Sequence, residues 1–245
     1  MELVILDTYE AICRETAARV ARLMRNKPDC VLGLPTGSTP VGLYRELARL
    51  HREDGLDFSK VTTFNLDEYL GLPPTHTQSY HYYMGESLFT HVNASADRVH
   101  IPNGMADDPE AHCAWYERKI RDYGGIDLMI LGIGSNAHIA FNEPGSSLGS
   151  RTRVAPLTRQ TREANARFFG GIDSVPTAAL TVGVGTITDA RQILMMASGV
   201  GKADAIHATV EGPVTAKVPA SALQFHPDTT LLLDPTAASL LTGSD

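Results

Sequence analysis

The residues best suited to chemistry in this sequence lie in loops that follow short hydrophobic runs. Thr36, Gly37, Ser38 and Thr39 follow one such run and precede Pro40. This pattern predicts an anion site, because amides at a helix N-terminus bind phosphate and Gly37 allows close backbone approach. No Gly-Lys-Ser/Thr follows, which excludes a nucleotide P-loop. An ordinary helix N-cap with a proline in its first turn would contain the same residues.

Two further loops contain groups that can move protons. Asp67 directly follows the hydrophobic run 61–66, and a carboxylate at the end of a buried strand is a candidate base. His138 and Glu143 share a glycine-containing loop, in which the carboxylate can fix the tautomer of the imidazole and raise its basicity. The alternatives are a helix cap or a solvated acidic pair for Asp67 and a core side chain for His138.

The loop that begins at Gly132 has a G-x-G-x-x-A pattern, which also occurs in dinucleotide-binding loops. We reject that interpretation for two reasons. Pro144 would break the expected helix, and the acidic residue expected about 20 positions further on is absent, the nearest one being Glu163. Arg167 and Lys202 are candidate phosphate contacts, one in a polar segment and one at a helix start. Each can also be a surface charge.

Composition restricts the classes of function. A net charge of −7 and a pI near 5.7 argue against nucleic-acid or acidic-membrane partners. Cys13, Cys30 and Cys113 form no CxxC pair, which is typical of reduced thiols, and the histidines lack the spacing of metal ligands. There is neither a signal-peptide pattern nor an apolar stretch of about 18 residues. We therefore expect a cytoplasmic protein without a metal.

Strand and helix patterns alternate along the chain. The predicted strands are 30–34, 61–66, 128–133, 179–184, 193–197 and 230–233, and the helical patterns begin near Tyr9 (with Asp7 and Glu10 as a capping pair), Pro40, Pro109 and Lys202. This alternation predicts a single α/β domain over 1–245, a three-layer, doubly wound, mostly parallel Rossmann-like sheet with its ligand at the carboxyl ends of the strands. The polar segment 146–178 is predicted to be a mobile lid without a strong strand signal.

Five motifs, taken together, resemble one family. They are LPTGSTP (34–40), FNLDEYLGL (64–72), HIAFNEP (138–144), NARFF (165–169) and LTVGVG (180–185). In this order they resemble the glucosamine-6-phosphate deaminase family, also called glucosamine-6-phosphate isomerases, over essentially the whole chain to about residue 234.

The resemblance implies aldose–ketose isomerisation and deamination of glucosamine 6-phosphate to fructose 6-phosphate and ammonia, without a cofactor, in N-acetylglucosamine catabolism. Asp67 matches the base that moves a proton from carbon 2 to carbon 1. His138 matches the residue that opens the sugar ring, and Glu143 the carboxylate that orients it. The loop 36–39, with Arg167 and Lys202, matches the phosphate site.

The sequence departs from the family pattern at three places. Asn136, which we include among the catalytic residues, stands where allosteric members have an aspartate. Ala155 replaces a lysine of the allosteric pocket, although Ser146 and Arg153 are retained, and the chain ends at Asp245 without a longer tail. We therefore expect weak or absent activation by N-acetylglucosamine 6-phosphate.

Two other functions remain open at this point. A 6-phosphogluconolactonase would share the phosphate loop but release an acid instead of ammonia. A non-catalytic sugar-phosphate sensor would bind without turnover, although no basic helix-turn-helix region is present. The sequence also leaves undecided whether the chain forms a homo-oligomer.

Overall fold

The structure, a computed structural model, describes residues 1–242. The strands are β1 (Glu2–Ile5), β2 (Val31–Leu34), β3 (Thr62–Asn65), β4 (Asp67–Tyr69), β5 (Val99–His100), β6 (Leu128–Leu131), β7 (Arg153–Pro156), β8 (Ala178–Thr181), β9 (Gln192–Ala197) and β10 (Thr229–Leu233). The α-helices are α1 (Tyr9–Asn26), α2 (Val41–Asp54), α3 (Tyr80–Ser87), α4 (Pro109–Asp122), α5 (Arg159–Phe169), α6 (Val184–Thr188) and α7 (Ala203–Val210).

Seven parallel strands form the main sheet in the order β1-β10-β9-β6-β2-β3-β5. Helices α1, α2 and α3 contribute to the core on one face, and α4, α6 and α7 to the core on the other. Successive residues of β9 alternate between the two: Ile193 and Met195 face one core, Leu194 and Met196 the other. Burial on both faces explains the continuous hydrophobic runs, and the predicted three-layer α/β fold is confirmed.

The order of the strands determines where a ligand can bind. From β2 the chain continues outward to β3 and β5, whereas β6 leads to β9 and β10 on the other side. The direction of winding therefore reverses between the neighbours β2 and β6. In doubly wound sheets a crevice forms at the carboxyl ends of the strands at this point.

A second sheet of three antiparallel strands, in the order β4-β8-β7, was not predicted. The prediction that the run 179–184 belongs to the main parallel sheet is wrong, because β8 ends at Thr181 and pairs with β4 and β7. Three of its four residues are buried, as in a central strand, and a hydrophobic run does not reveal strand direction.

Three local predictions need correction. Thr8, and not Asp7, is the N-cap of α1, because its side chain accepts a hydrogen bond from the amide of Ala11. The short strands β1 and β5 were missed, and β1 lies at the edge of the sheet with most of its residues exposed. The segment 146–178 contains β7 and α5, so its assignment as a region without strand structure is wrong; its role as a lid stays a prediction.

Candidate active site

A cavity of about 560 Å³ opens at the carboxyl ends of β3, β2, β6 and β9, four consecutive strands of the main sheet. Of the residues singled out from the sequence, all but Glu143 line it, namely Thr36, Gly37, Ser38, Thr39, Asp67, Asn136, His138, Arg167 and Lys202. The tenth, Glu143, lies behind Asn136 and bonds to it. Loops far apart in sequence meet here because parallel strands deliver them to the same edge.

Three tyrosine hydroxyls hold the loop after β2, residues 35–40, which we call the β2 loop. They donate to every second carbonyl of the loop. Tyr44 donates to that of Pro35, Tyr83 to that of Gly37 (2.7 Å) and Tyr9 to that of Thr39 (2.8 Å). The tyrosines come from three different helices and were not identified from the sequence. Because the carbonyls are engaged by the tyrosines, they are kept out of the anion site.

The amides of the β2 loop are available for an anion. Within residues 1–242, the backbone N–H groups of residues 36–39 have no protein acceptor. Gly37 has φ of +92°, a left-handed conformation that favours glycine. The loop leads directly into α2, whose N-terminus favours negative charge. These features fit a phosphate group.

Two cations complete this side of the cavity. Arg167 is exposed on α5, and its guanidinium carbon lies 4.6 Å from the ring centroid of Phe168. Lys202 follows β9, and its ammonium donates to the carbonyl of Ile133 at 2.7 Å. Burial lowers the pKa of Lys202. Both side chains line the same cavity as the β2 loop.

Asp67 lies where the chain passes from the main sheet to the small sheet, and only 6% of it is exposed. Within residues 1–242, its carboxylate accepts one hydrogen bond, a long one from the hydroxyl of Thr36 at 3.5 Å. Burial raises the pKa of Asp67 to about 8; the charge of Glu68 adds to the rise, and the bond from Thr36 opposes it. The pKa of Asp67 therefore lies near neutrality, which is where a general base is most effective.

His138 is oriented by Asn136 and not by Glu143 directly. The Nδ1 of His138 lies 2.7 Å from the Asn136 Oδ1 but 3.7 Å from the Glu143 Oε2. The Asn136 amide nitrogen donates to Glu143 at 2.9 Å, which fixes its oxygen toward the ring. His138 therefore carries its proton on Nδ1, and Nε2 is left free. Glu143 thus acts on His138 across 3.7 Å and through the amide of Asn136, and its predicted orienting role stays a prediction.

The loop after β6, residues 132–145, has strained backbone around the histidine; we call it the β6 loop. Ala137 and Ala140 adopt left-handed φ values of 63° and 49°. Gly134 packs against the imidazole, since a Cβ there would lie 2.2 Å from the His138 Cε1. The glycines thus accommodate the histidine ring, and no helix opens at the G-x-G-x-x-A pattern, as a dinucleotide site would require.

The electrostatic environment keeps His138 neutral near pH 7. Burial lowers its pKa; the charge of Glu143 opposes this effect, and that of Lys202 adds to it. A neutral imidazole with a free Nε2 can accept a proton from a hydroxyl and then deliver it to another oxygen. Asp67 and His138 together thus provide two proton-transfer groups beside an anion site.

Comparisons with known proteins agree with this arrangement. The family described as glucosamine-6-phosphate isomerases/6-phosphogluconolactonase matches residues 7–232. The chain belongs to this family. The resemblance inferred from the five motifs is therefore confirmed.

Similar members of the family cover the full chain. The glucosamine-6-phosphate deaminase of Halothermothrix orenii is 55% identical over 98% of this chain and 100% of its own, and that of Bacillus velezensis is 50% identical over 97% and 99%. A solved structure of a monomeric glucosamine-6-phosphate deaminase is 48% identical, with a TM-score of 0.96 over 98% of this chain and 100% of that chain.

A 6-phosphogluconolactonase from Trypanosoma cruzi has the same fold at a TM-score of 0.79, but only 20% identity, over 98% of this chain and 97% of its own. At this distance the likeness shows the fold alone. The fold is thus shared by both activities that the family description names, and the side chains must decide between them.

Two of the three positions that the resemblance links to allostery, Ser146 and Arg153, bond to each other. Arg153 donates to Asn142 at 2.8 Å and to Ser146 at 3.1 Å. Ala155 is buried in β7. The expectation of weak or absent activation stays a prediction, and the chain end at Asp245, on which it partly depends, lies outside the described residues.

Two absences in residues 1–242 bear on other kinds of site. No three His, Cys, Asp or Glu side chains converge as metal ligands would. None of the helices in this part of the chain has the length and apolar character needed to span a bilayer. The polar groups that line the cavity suit an anionic ligand.

Proposed function

We propose that this protein isomerises and deaminates glucosamine 6-phosphate to fructose 6-phosphate and ammonia. The observation that carries the proposal is that Asp67 and the free Nε2 of His138 line the same cavity as the β2 loop. A lactonase opens an ester and needs no base for a carbon-bound proton. The buried Asp67, with its raised pKa, suits removal of the proton from carbon 2, the step that distinguishes the first reaction from the second.

The substrate phosphate is bound by the free amides of the β2 loop, with Arg167 and Lys202 as its cationic contacts. These groups hold one end of the sugar, so that the ring lies over His138 and carbon 2 comes within reach of Asp67. Binding energy at the phosphate thereby orients the reacting atoms, which is how remote contacts accelerate a reaction.

Ring opening is assigned to His138. Its Nε2 takes the proton of the hydroxyl on carbon 1 and delivers a proton to the ring oxygen as the bond between carbon 1 and that oxygen breaks. The product is the open aldehyde. Asn136 accepts from Nδ1 throughout and, with Glu143 behind it, keeps the imidazole in the required tautomer.

Isomerisation and loss of nitrogen follow from Asp67. Its carboxylate removes the proton from carbon 2, the electron pair forms a double bond to carbon 1, and the aldehyde oxygen takes a proton from the ammonium group of the substrate, which gives an enolamine. The proton held by Asp67 is then transferred to carbon 1 while a C=N bond forms at carbon 2. Water adds to carbon 2, the C–N bond breaks, and ammonia leaves with fructose 6-phosphate. The reaction needs no cofactor.

The segment 146–178 acts as the lid in this proposal. Helix α5 forms one wall of the cavity and carries Arg167, so phosphate binding would draw the wall inward and exclude water. The three cysteines are buried and unpaired, which supports a reducing compartment, the cytoplasm. There the reaction would serve amino-sugar catabolism.

The proposal is tested by supplying glucosamine 6-phosphate in heavy water. We expect ammonia and fructose 6-phosphate in equal amounts, measured by a coupled ammonia assay. NMR should show solvent deuterium at carbon 1 in those product molecules for which the proton on Asp67 exchanged with water before its transfer. A parallel reaction contains 6-phosphogluconolactone and is followed by acid release. Acid from the lactone without ammonia from the amino sugar would identify a lactonase, and tight binding of the amino sugar without turnover would identify a sensor.

A further inference from the structure

Glu143 is held from two sides. One carboxylate oxygen, Oε2, accepts from the Asn136 amide at 2.9 Å. The other, Oε1, accepts from the hydroxyl of Thr158 at 3.3 Å and from that of Thr161. Both threonines belong to the first turn of α5, where Thr158 is the N-cap. A helix of the segment 146–178 thus donates to the carboxylate behind the catalytic loop.

The position of Glu143 decides the orientation of the Asn136 amide. An amide can be turned over so that its nitrogen and oxygen exchange places. With its nitrogen on Glu143, the oxygen faces the Nδ1–H of His138 at 2.7 Å. The reversed amide would set two donors against each other at His138. The backbone N–H of His138 also donates to the Asn136 oxygen, at 3.2 Å, so this N–H group and Glu143 together exclude the reversed form.

We infer that Thr161 is a positioning residue of the active site, whose hydroxyl fixes Glu143 and, through the Asn136 amide, the tautomer and orientation of His138. Thr161 is 6% exposed, and Glu143 has the same exposed fraction, so water cannot readily replace the hydroxyl. Arg167 lies on the same helix. The element that supplies the phosphate contact therefore also supplies the donor that orders the ring-opening histidine. The inference rests on the proposed function.

The direct test is Thr161→Val, which keeps the shape of the side chain and removes its hydroxyl. We expect kcat to fall by about 10- to 100-fold, as for other residues that orient a catalytic group, and KM to change by less than about 3-fold. Thr161→Ser retains the hydroxyl and should recover most of kcat. Thr161→Ala removes it in a smaller side chain, so the test does not depend on one variant being well folded.

The pH profile separates positioning from loss of stability. The charged groups that act on His138 are Glu143, which raises its pKa, and Lys202, which lowers it. If Glu143 moves away in Thr161→Val, the pKa of His138 falls further. Below the limb set by Asp67, the further fall of kcat that follows protonation of His138 should then move to lower pH, a change that a merely destabilised enzyme would not show.

A matched control exists elsewhere in the chain. Thr186 is buried and donates to the buried carboxylate of Glu117 at 2.5 Å, but neither residue lines the cavity. Thr186→Val should lower the melting temperature as Thr161→Val does and leave kcat unchanged. An equal fall of kcat in both variants, or normal kcat and pH profile in Thr161→Val, would overturn the inference.

NMR of the His138 ring nitrogens in the full-length protein tests the inference without turnover. The wild type should show the Nδ1–H tautomer, and Thr161→Val a mixture of tautomers. If the wild type releases no ammonia, the proposed function is wrong while this readout still applies. If the tautomer is unchanged in Thr161→Val and Thr161→Ala, the positioning role of Thr161 is wrong, and the proposed function is unaffected.

Discussion

Asp67 and Glu143 are two carboxylates of one active site that are equally buried and differently surrounded. Each is 6% exposed. The carboxylate of Asp67 accepts one hydrogen bond within the described part of the chain, a long one from Thr36 at 3.5 Å, and faces the cavity. Glu143 accepts from Asn136, Thr158 and Thr161 and lies behind the cavity wall.

The difference between them lies in the donors and not in burial. Burial raises the pKa of Asp67 to about 8, one long hydrogen bond does little to oppose the rise, and the carboxyl group is available to exchange a proton with a ligand. Donors around both oxygens of Glu143 hold its carboxylate in place, where it can orient a neighbour but cannot reach the substrate. Asp67 can therefore act as a base, whereas Glu143 holds a neighbouring side chain in position.

The largest expected effect is that of Asp67→Asn. Removal of the base should lower kcat by about 10²- to 10⁴-fold, in a steady-state ammonia assay. Since the pKa of Asp67 is raised from 3.8 to about 8, the folded state holds the proton more tightly than the unfolded state, and stability falls as pH rises through this window. The variant should therefore melt at a higher temperature than the wild type at pH 8. Near-normal turnover with an unchanged KM would mean that Asp67 is not the base.

Replacement of Glu143 should have a smaller effect. Glu143→Ala removes both the acceptor of the Asn136 amide and the charge, and we expect kcat to fall by about 10- to 100-fold. Glu143→Gln keeps an acceptor for Asn136 and removes only the charge that raises the pKa of His138. It should retain more activity, and the fall of kcat that follows protonation of His138 should lie at lower pH. Equal kcat values in the two variants would contradict a role in orientation.

The effect of the neighbouring Glu68 on the pH dependence of kcat/KM should show whether Asp67 is the base. Because the base acts ionised, kcat/KM should rise with pH up to about 8, the pKa of Asp67. The charge of Glu68 raises that pKa, so Glu68→Gln should move the limb to lower pH. Glu68 also accepts from the amides of Tyr80 and His81, and melting curves should accompany the profile. A limb that stays in place would show that another group titrates.

The smallest expected effect concerns the β2 loop. Tyr83→Phe removes one of the three hydroxyls that hold its carbonyls, a hydrogen bond worth about 1 kcal/mol, and should raise KM by about 5-fold with little change in kcat. Tyr82→Phe is the matched control, since Tyr82 is a neighbouring tyrosine that is 41% exposed. A fall in kcat without a change in KM would place Tyr83 in the chemistry and not in binding.

The hydrophobic runs determined the main sheet and the place of the site. Runs such as 128–133 and 193–197 could be recognised because strands buried on both faces need apolar residues throughout. Parallel strands bring their carboxyl ends to one edge, so Asp67, the β2 loop and the β6 loop could be expected to lie together. The residue types in those loops then indicated acid–base chemistry beside an anion.

Only the tertiary structure decided how these groups are supported. Tyr9 and Tyr83 bond to the β2 loop across 30 and 46 residues of sequence, and Thr161 bonds to Glu143 across 18. Asn136 proved to be the direct partner of His138, and β8 belongs to an antiparallel sheet. Hydrogen bonds of this kind depend on the packing of distant elements, and local patterns report burial and periodicity but not which donor meets which acceptor.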